Sequence, residues 1–362
     1  MAEFIPPAKP LIGDEECAAV DRVLRSGMLA QGPEVKAFEE EFSEHFGLGR
    51  ACVAVNSGTS GLHLGLLAAG VGPGDEVIVP SFTFAATANS VALTGATPVF
   101  ADIDPDSFCL DPISVAAAIT ERTVGIMPVH LYGHAAEMPA LQALATKHGL
   151  QLFEDAAQAH GASLGGMPVG AFGAFAMFSL YPTKNMTSGE GGMVSCATRE
   201  LERMVRLLRN QGMERQYENE VVGFNNRMTD LHAAIGRVQL TKVDGWTAQR
   251  QRNAAFLSAN LQGVTAPPVA PGAVHVYHQY TVRIRHDRDG LARALREEYQ
   301  VGSGMFYPVP NHRLAPFGRD IDLPQTELAA QQCLSLPVHP SLSQADLERI
   351  VTAVNALAKA GA

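Results

Sequence analysis

Short apolar runs alternate with helical segments between residues 51 and 196, and this alternation restricts the fold more than any other feature of the chain. The first five runs span residues 51–55, 76–79, 97–101, 124–129 and 151–153. A helical pattern follows each of the first four, beginning near Ser57, near Thr83, after Pro112 and near Glu137. Repeated alternation of strand and helix predicts an α/β domain with a largely parallel central sheet flanked by helices. Two more strands, 174–179 and 193–196, are expected after a glycine-rich turn.

The rest of the chain predicts a second, smaller domain. With 362 residues the chain is too long for one small core. From Thr229 a helical pattern runs past Trp246 towards Leu261, and a Pro/Gly-rich linker covers 266–272. A strand at 277–284, a helix at 288–299, a loop rich in proline and histidine, and a helix from Ser343 follow. We expect a large domain at 1–244 and a smaller C-terminal α+β domain at 245–362.

Charge and cysteine content narrow the class of protein. Lys and Arg total 27 against 37 Asp and Glu, and a net charge of -10 argues against binding nucleic acid or anionic membranes through the overall field. Five widely spaced cysteines without a Cys-x-x-Cys pair favour neither a disulfide framework nor a zinc site, and we expect no metal. No signal-peptide pattern and no apolar stretch of about 20 residues is present, so we expect a cytoplasmic protein.

The first candidate site is the turn Asn56-Ser57-Gly58-Thr59-Ser60-Gly61, which follows a strand and opens a helix. Free backbone N–H groups and the positive end of the helix dipole favour phosphate at such a turn. The alternative interpretation is an ordinary capped turn. The motif matches neither a Walker loop nor Gly-x-Gly-x-x-Gly.

Two charged side chains, Asp155 and Lys184, are the other candidates for the site. Asp155, beside Glu154, follows a strand, at the edge where open α/β sheets bind ligands. This acidic pair could hold a metal or a cationic ring nitrogen, or Asp155 could be a capping residue. Lys184 lies in a turn between Pro182 and the glycines of 189–192. Most lysines are solvated, but these small and apolar neighbours suggest a partly buried amine with a lowered pKa, which could form a Schiff base.

Together these three features are the parts of a pyridoxal-phosphate (PLP) site. The lysine would form the Schiff base, the aspartate would pair with the pyridine nitrogen, and the turn would bind the phosphate. The chain also resembles the DegT/StrS-type sugar aminotransferases, which have the aspartate-aminotransferase (type I) PLP fold. The motifs that carry this resemblance include Asn56-Ser57-Gly58-Thr59, Ser179-Leu180-Tyr181-Pro182-Thr183-Lys184 and Gly189-Glu190-Gly191-Gly192. Further matching blocks lie at 26–27, 31–33, 72–84, 130–133, 154–161, 207–210, 223–228 and 307–310.

The resemblance implies a role for each matching residue. Lys184 would carry the cofactor and move protons, and Asp155 would hold the ring nitrogen. Gln158 would face the 3′-oxygen, and Phe84 would stack on the ring, although packing alone is the usual role of a phenylalanine. The phosphate would be bound by Gly58, Thr59 and Ser179, and by Asn225 of the neighbouring subunit in a homodimer. His160 receives no role and could be a structural histidine.

The implied reaction transfers an amino group from glutamate to a nucleotide-linked keto sugar. The N-terminal motifs at 9–10, 13–16, 26–27 and 31–33 are more similar to the 4-amino branch, so we expect amination at C4 of a 4-keto-6-deoxy hexose. Arg227 or His312 could meet the diphosphate. The chain departs from the common family pattern at Met28, Ala30, Asn226 and Phe306, which lie in substrate-side blocks.

Three features of the sequence bear on other functions. A PLP-dependent sugar 3-dehydratase of the same fold has histidine in place of the lysine, so the presence of Lys184 disfavours it. A keto-inositol remains an alternative acceptor. A non-catalytic regulator on this fold would be expected to lack Lys184 or Asp155, and both are present.

Overall fold

The structure, a computed structural model, describes residues 3–360. Within this range the helices are α1 (Asp14–Ser26), α2 (Pro33–His45), α3 (Gly58–Ala68), α4 (Ala86–Leu93), α5 (Pro112–Ala118), α6 (Met138–His148), α7 (Arg199–Arg209), α8 (Asp230–Leu240), α9 (Val243–Asn260), α10 (Arg288–Tyr299), α11 (Pro324–Gln332) and α12 (Gln344–Ala360). The strands are β1 (Ala51–Val55), β2 (Glu76–Pro80), β3 (Thr97–Ala101), β4 (Thr123–Ile126), β5 (Gln151–Asp155), β6 (Ser163–Leu164), β7 (Met167–Pro168), β8 (Phe175–Ser179), β9 (Gly192–Cys196), β10 (Met213–Arg215), β11 (Glu218–Asn219), β12 (Ala273–Val274), β13 (Tyr280–Arg283) and β14 (Cys333–Leu336).

A seven-stranded sheet forms the centre of the molecule, in the order β1-β9-β8-β5-β4-β2-β3. The pairs β2/β3, β2/β4, β4/β5 and β5/β8 are parallel, and β9 runs antiparallel to both of its neighbours. Every residue of β2, β8 and β9 is buried, as expected for strands covered by helices on both faces. The predicted α/β fold with a largely parallel sheet is confirmed.

Two hydrophobic cores cover the two faces of this sheet. One contains Phe38 and Phe42 of α2, and the other contains Leu62 and Leu66 of α3. Helix α3 lies unusually close to β8, because a Cβ added at Gly65 would stand 2.6 Å from the ring of Phe175. This close approach brings the N-terminus of α3 against the end of β8, where the candidate site lies.

A third core lies in the C-terminal part of the chain, among α9, α10, α12, β13 and β14. Its fully buried members include Leu257, Tyr280, Leu334 and Ile350, and Ile5 from the N-terminal segment packs with them. The boundary expected at residues 244/245 falls in the first turn of α9. Across residues 3–360 no helix combines the length and hydropathy that a bilayer crossing needs.

Several predicted elements differ from the structure. The helix expected to run from Thr229 towards Leu261 is interrupted at 241–242, which separates α8 from α9. The strand expected at 277–284 is shortened to β13, because the preceding residues bond irregularly to the turn around Gly133. The proline- and histidine-rich loop contains α11 and β14, which the local pattern did not predict. Strand β14 pairs with β13, fifty or more residues earlier, so its signal is not local.

Candidate active site

A cavity of about 490 Å³ opens where β1, β2, β5 and β8 end. The carboxyl ends of parallel strands are the edge at which open α/β sheets bind ligands. Seven of the eight predicted site residues line it, namely Gly58, Thr59, Phe84, Asp155, Gln158, Ser179 and Lys184. Asn225, the eighth, does not line this cavity and is exposed after the β10–β11 hairpin.

The turn after β1 forms one wall of the cavity. Ser57 caps α3, and its hydroxyl accepts a hydrogen bond from the Ser60 N–H at 3.1 Å. The N–H groups of Gly58 and Thr59 lie in the first helical turn, where backbone donors have no partner inside the helix. A Cβ added at Gly58 would stand 3.1 Å from the Cβ of Ser179, so the turn and the end of β8 are in contact. This arrangement offers several donors to one anionic group.

The side chains of Glu154 and Asp155 contact different parts of the protein, because consecutive residues of a strand point to opposite faces of the sheet. The Glu154 carboxylate accepts hydrogen bonds from the backbone N–H groups of Gly170, Phe172 and Gly173, and it contacts His130 Nε2 at 3.1 Å. Only Asp155 lines the cavity. The hypothesis that the pair jointly binds a metal is therefore wrong, since Glu154 is committed to the loop that precedes β8.

Asp155 lies at the floor of the cavity and is 4% exposed. Its Oδ2 accepts a hydrogen bond from the Thr87 hydroxyl at 2.7 Å, and its Oδ1 accepts one from the Ala157 N–H at 3.2 Å. Burial raises the pKa of Asp155, while these two donors and the nearby Lys184 partly offset the rise. A buried carboxylate with few partners favours a cationic ligand at this position.

Lys184 lies in a loop that several hydrogen bonds hold in place. Its N–H donates to the Tyr181 carbonyl at 2.9 Å, and the neighbouring Asn185 side chain donates to the Val276 carbonyl at 2.9 Å. Burial lowers the pKa of Lys184 to about 8, although the charge of Asp155 works in the opposite direction. About a tenth of the amines would then be unprotonated and nucleophilic at pH 7.

Gln158 and Phe84 lie on other sides of the same cavity. The buried Gln158 accepts a hydrogen bond from the Tyr132 N–H and donates one to the Tyr307 hydroxyl. Phe84 is 63% exposed, so it is not a core residue. Its ring is open to a ligand in the cavity. The interpretation of Phe84 as ordinary core packing does not fit this exposure.

Three residues that the sequence suggested for the site do not line the cavity. His312 is fully buried and bonds to Ser81 Oγ at 2.6 Å and Glu327 Oε1 at 3.4 Å, so the prediction that it could meet a diphosphate is wrong. Arg227 bonds to Asn210 Oδ1 at 2.8 Å and does not line the cavity. His160 is buried among phenylalanines, and burial lowers its pKa to about 3, which favours the structural interpretation.

The sequence missed three residues that matter for the geometry of the site. Thr87 bonds to Asp155, and Tyr307 bonds to Gln158. His278 lines the cavity, is 7% exposed, and has no bonding partner for its Nδ1 among the described residues. Tyr307 stands in one of the matching blocks, which was the one available signal. Nothing local marks His278, because it lies 94 residues from Lys184 (278 − 184).

Fold and site together define a class of protein, a PLP-dependent enzyme of the aminotransferase fold. The cavity combines backbone N–H donors at the start of α3, a buried carboxylate and an amine of lowered pKa, which are the groups that this cofactor requires. The chain belongs to the DegT/DnrJ/EryC1/StrS aminotransferase family, whose model matches residues 10–355. The family resemblance of the sequence motifs is thereby confirmed.

Named relatives agree with this assignment. The dTDP-3-amino-3,4,6-trideoxy-alpha-D-glucose transaminase of Streptomyces venezuelae is 43% identical over 94% of this chain and 91% of that protein. The GDP-perosamine synthase of Caulobacter vibrioides is 40% identical over 96% of each chain. A crystal structure of S. venezuelae DesV in complex with a ketimine intermediate superposes with a TM-score of 0.93 and 41% identity, covering 98% of this chain and 99% of that one. The protein is a PLP-dependent sugar aminotransferase.

Proposed function

We propose that this enzyme moves an amino group from glutamate to C4 of a nucleotide-linked 4-keto-6-deoxy hexose. The observation that carries the proposal is the shared cavity of Lys184, Asp155 and the N-terminus of α3. When bound, the cofactor withdraws electrons from the substrate carbon that exchanges its amino group. The protein's part is to bind the reactants, orient them and move protons.

Each lining residue has a proposed task in that reaction. Lys184 would hold the cofactor through its amine and carry protons at the reacting carbon. Its pKa of about 8 makes both the protonated and the unprotonated amine accessible near neutral pH. Asp155 would keep a proton on the ring nitrogen. The first turn of α3 and Ser179 would hold the phosphate, Phe84 would lie over the ring, and Gln158 would face the 3′-oxygen.

The attachment of the cofactor can be tested chemically. Borohydride treatment of the holoenzyme should fix the cofactor on the peptide that contains Lys184, and Lys184→Ala should abolish turnover. Lys242, which pairs with Glu15 and Glu16, serves as a control lysine that should stay unlabelled. Recovery of the label on any peptide other than that of Lys184 would refute this assignment.

Two observations support the proposed sugar. The N-terminal motifs are similar to the 4-amino branch, and the GDP-perosamine synthase of C. vibrioides is 40% identical. The cavity wall also includes Phe306, whose apolar ring suits the methyl group of a deoxy sugar better than a hydroxymethyl group.

Amination at C3 is the second candidate, because two relatives carry a 3-amino name. One is the S. venezuelae transaminase, and the other is a UDP-N-acetyl-3-dehydro-alpha-D-glucosamine 3-aminotransferase of Acidithiobacillus ferrooxidans, 40% identical over 98% of this chain. Direct competition between 3-keto and 4-keto nucleotide sugars, with glutamate as donor and products analysed by mass and NMR, separates the two. Preference for the 3-keto sugar or a free keto-inositol would overturn the C4 proposal and leave the role of Lys184 intact.

We also propose a cytoplasmic homodimer with shared sites. Asn225 is exposed outside its own cavity, and the surrounding segment presents Tyr217 and Val222 at 84% and 90% exposure. Large exposed apolar side chains beside a polar residue are typical of a protein–protein interface. The five cysteines are free thiols, which suits a reducing compartment.

A further inference from the structure

The orientation of the Gln158 amide is determined by its neighbours. The backbone N–H of Tyr132 is a donor only, and it lies 2.7 Å from Gln158 Oε1. The other end of the amide, Nε2, therefore faces the Tyr307 hydroxyl oxygen at 2.9 Å. Because Nε2 is a donor only, the Tyr307 oxygen must accept this hydrogen bond.

It follows that the hydroxyl hydrogen of Tyr307 is available for another acceptor. Gln158 is the one hydrogen-bonding partner of this hydroxyl among residues 3–360. Tyr307 also lines the cavity that contains Lys184 and Asp155. Burial raises the pKa of Tyr307, so the hydroxyl keeps its proton across the neutral range.

The backbone holds this hydroxyl in a defined place. Tyr307 has φ of 63°, in the left-handed region that bulky residues rarely adopt and that is concentrated at functional sites. Its ring packs edge-on against Phe82, with centroids 5.6 Å apart. Farther along the loop, Asn311 donates from its backbone N–H to the Ser81 carbonyl at 3.0 Å and from its side chain to the Thr83 carbonyl at 2.9 Å. The loop is thus fastened to the end of β2, next to Phe84.

We propose that Tyr307 locks the Gln158 amide and also donates its own hydroxyl hydrogen to the anionic ring oxygen of the bound cofactor. This inference rests on the proposed roles of Gln158 and Lys184. A hydrogen bond to that oxygen stabilises its negative charge and so favours loss of the proton from the nitrogen that joins Lys184 to the cofactor. Tyr307 therefore lowers the pKa of this linkage.

The test is a pH titration of the absorbance of substrate-free holoenzyme. In Tyr307→Phe we expect the pKa of the linkage to rise by about one unit, a tenfold change in the proton equilibrium. Tyr280→Phe is the matched control, because Tyr280 is a buried tyrosine whose hydroxyl bonds to Ser258 in the C-terminal core. It should lose comparable thermal stability while its titration stays that of the wild type. An unchanged titration in Tyr307→Phe would overturn the proposal.

A second comparison separates direct donation from an effect through Gln158. If Tyr307 donates to the cofactor itself, the double variant Tyr307→Phe/Gln158→Ala should titrate higher than Gln158→Ala alone. Equal values would overturn direct donation. A wild-type holoenzyme without any pH-dependent absorbance would instead refute the proposed attachment at Lys184, so the two failures are distinguishable.

Discussion

Replacing Glu154 and Asp155 by their amides, one at a time, is expected to separate the stability of the fold from the chemistry of the site. The two residues are neighbours in β5 and carry the same charge, but their partners differ. Glu154→Gln should destabilise the protein. Asp155→Asn should reduce turnover while changing stability little.

The magnitude for Glu154 follows from its four contacts. Backbone N–H groups of Gly170, Phe172 and Gly173 donate to the carboxylate at 2.8, 2.9 and 2.8 Å, and His130 Nε2 lies at 3.1 Å. An amide has one acceptor oxygen, so its NH2 group would face two of these donors. Each buried donor without an acceptor costs about 1–3 kcal/mol, so the free energy of unfolding should fall by about 2–6 kcal/mol. With an unfolding entropy of about 0.8 kcal/mol/K for 362 residues, Tm should fall by about 3–8 °C.

Asp155 has fewer bonds to lose. Within residues 3–360 Thr87 and the Ala157 N–H are its donors, and burial disfavours its charge. Removing the charge offsets the loss of a hydrogen bond, so we expect a stability change within about 1 kcal/mol. Turnover should fall at least ~100-fold, because an oriented charge at the cofactor ring is lost.

The assay is thermal unfolding of cofactor-free protein by circular dichroism, together with turnover of the holoenzyme. Burial alone would raise the pKa of Glu154, but the bonds from His130 and the backbone outweigh it and lower the pKa. The stability from this carboxylate is therefore present above its unfolded pKa of about 4.3 and is lost as pH falls through the lower folded value. The difference in Tm between wild type and Glu154→Gln should narrow below about pH 4. Equal Tm values at pH 7, or an equal loss in Asp155→Asn, would refute this division of roles.

Three further predictions concern the cofactor site. With the pKa of Lys184 at about 8, the rate of PLP attachment to cofactor-free protein, followed by absorbance, should rise about tenfold per pH unit below 8 and level off above it; a flat profile would contradict this. Verified heterodimers of an Asn225→Ala subunit and a Lys184→Ala subunit should regain some activity, because one shared site keeps both residues; an absence of activity would place Asn225 in its own subunit's site. In Gly192→Ala the new Cβ would stand 2.8 Å from the Ser57 carbonyl oxygen, so the phosphate turn must move and PLP affinity, measured by equilibrium titration, should fall at least ~10-fold, whereas the control Gly245→Ala meets open space and should bind normally.

Local features of the sequence determined much of this protein. The strands β1, β2, β3 and β5 begin within a residue of their predicted positions, because buried strands of such a sheet are short apolar runs between turns. The turn at Ser57, the strand-end position of Asp155 and the loop of Lys184 were recognisable for the same reason. Each of these features depends on residues within about ten positions of one another, so a short sequence motif is enough to predict it.

The tertiary structure decided what depends on contacts between distant residues. Alternation along β5 implies that Glu154 and Asp155 diverge, but only the packing of the loop at 170–173 shows which of them faces the cavity. Tyr307 reaches Gln158 across 149 positions, and His312 reaches Ser81 across 231, which buries a histidine that looked available for a ligand. No residue near either partner in the chain signals such a contact, since it forms only when the C-terminal loop folds across the ends of the strands.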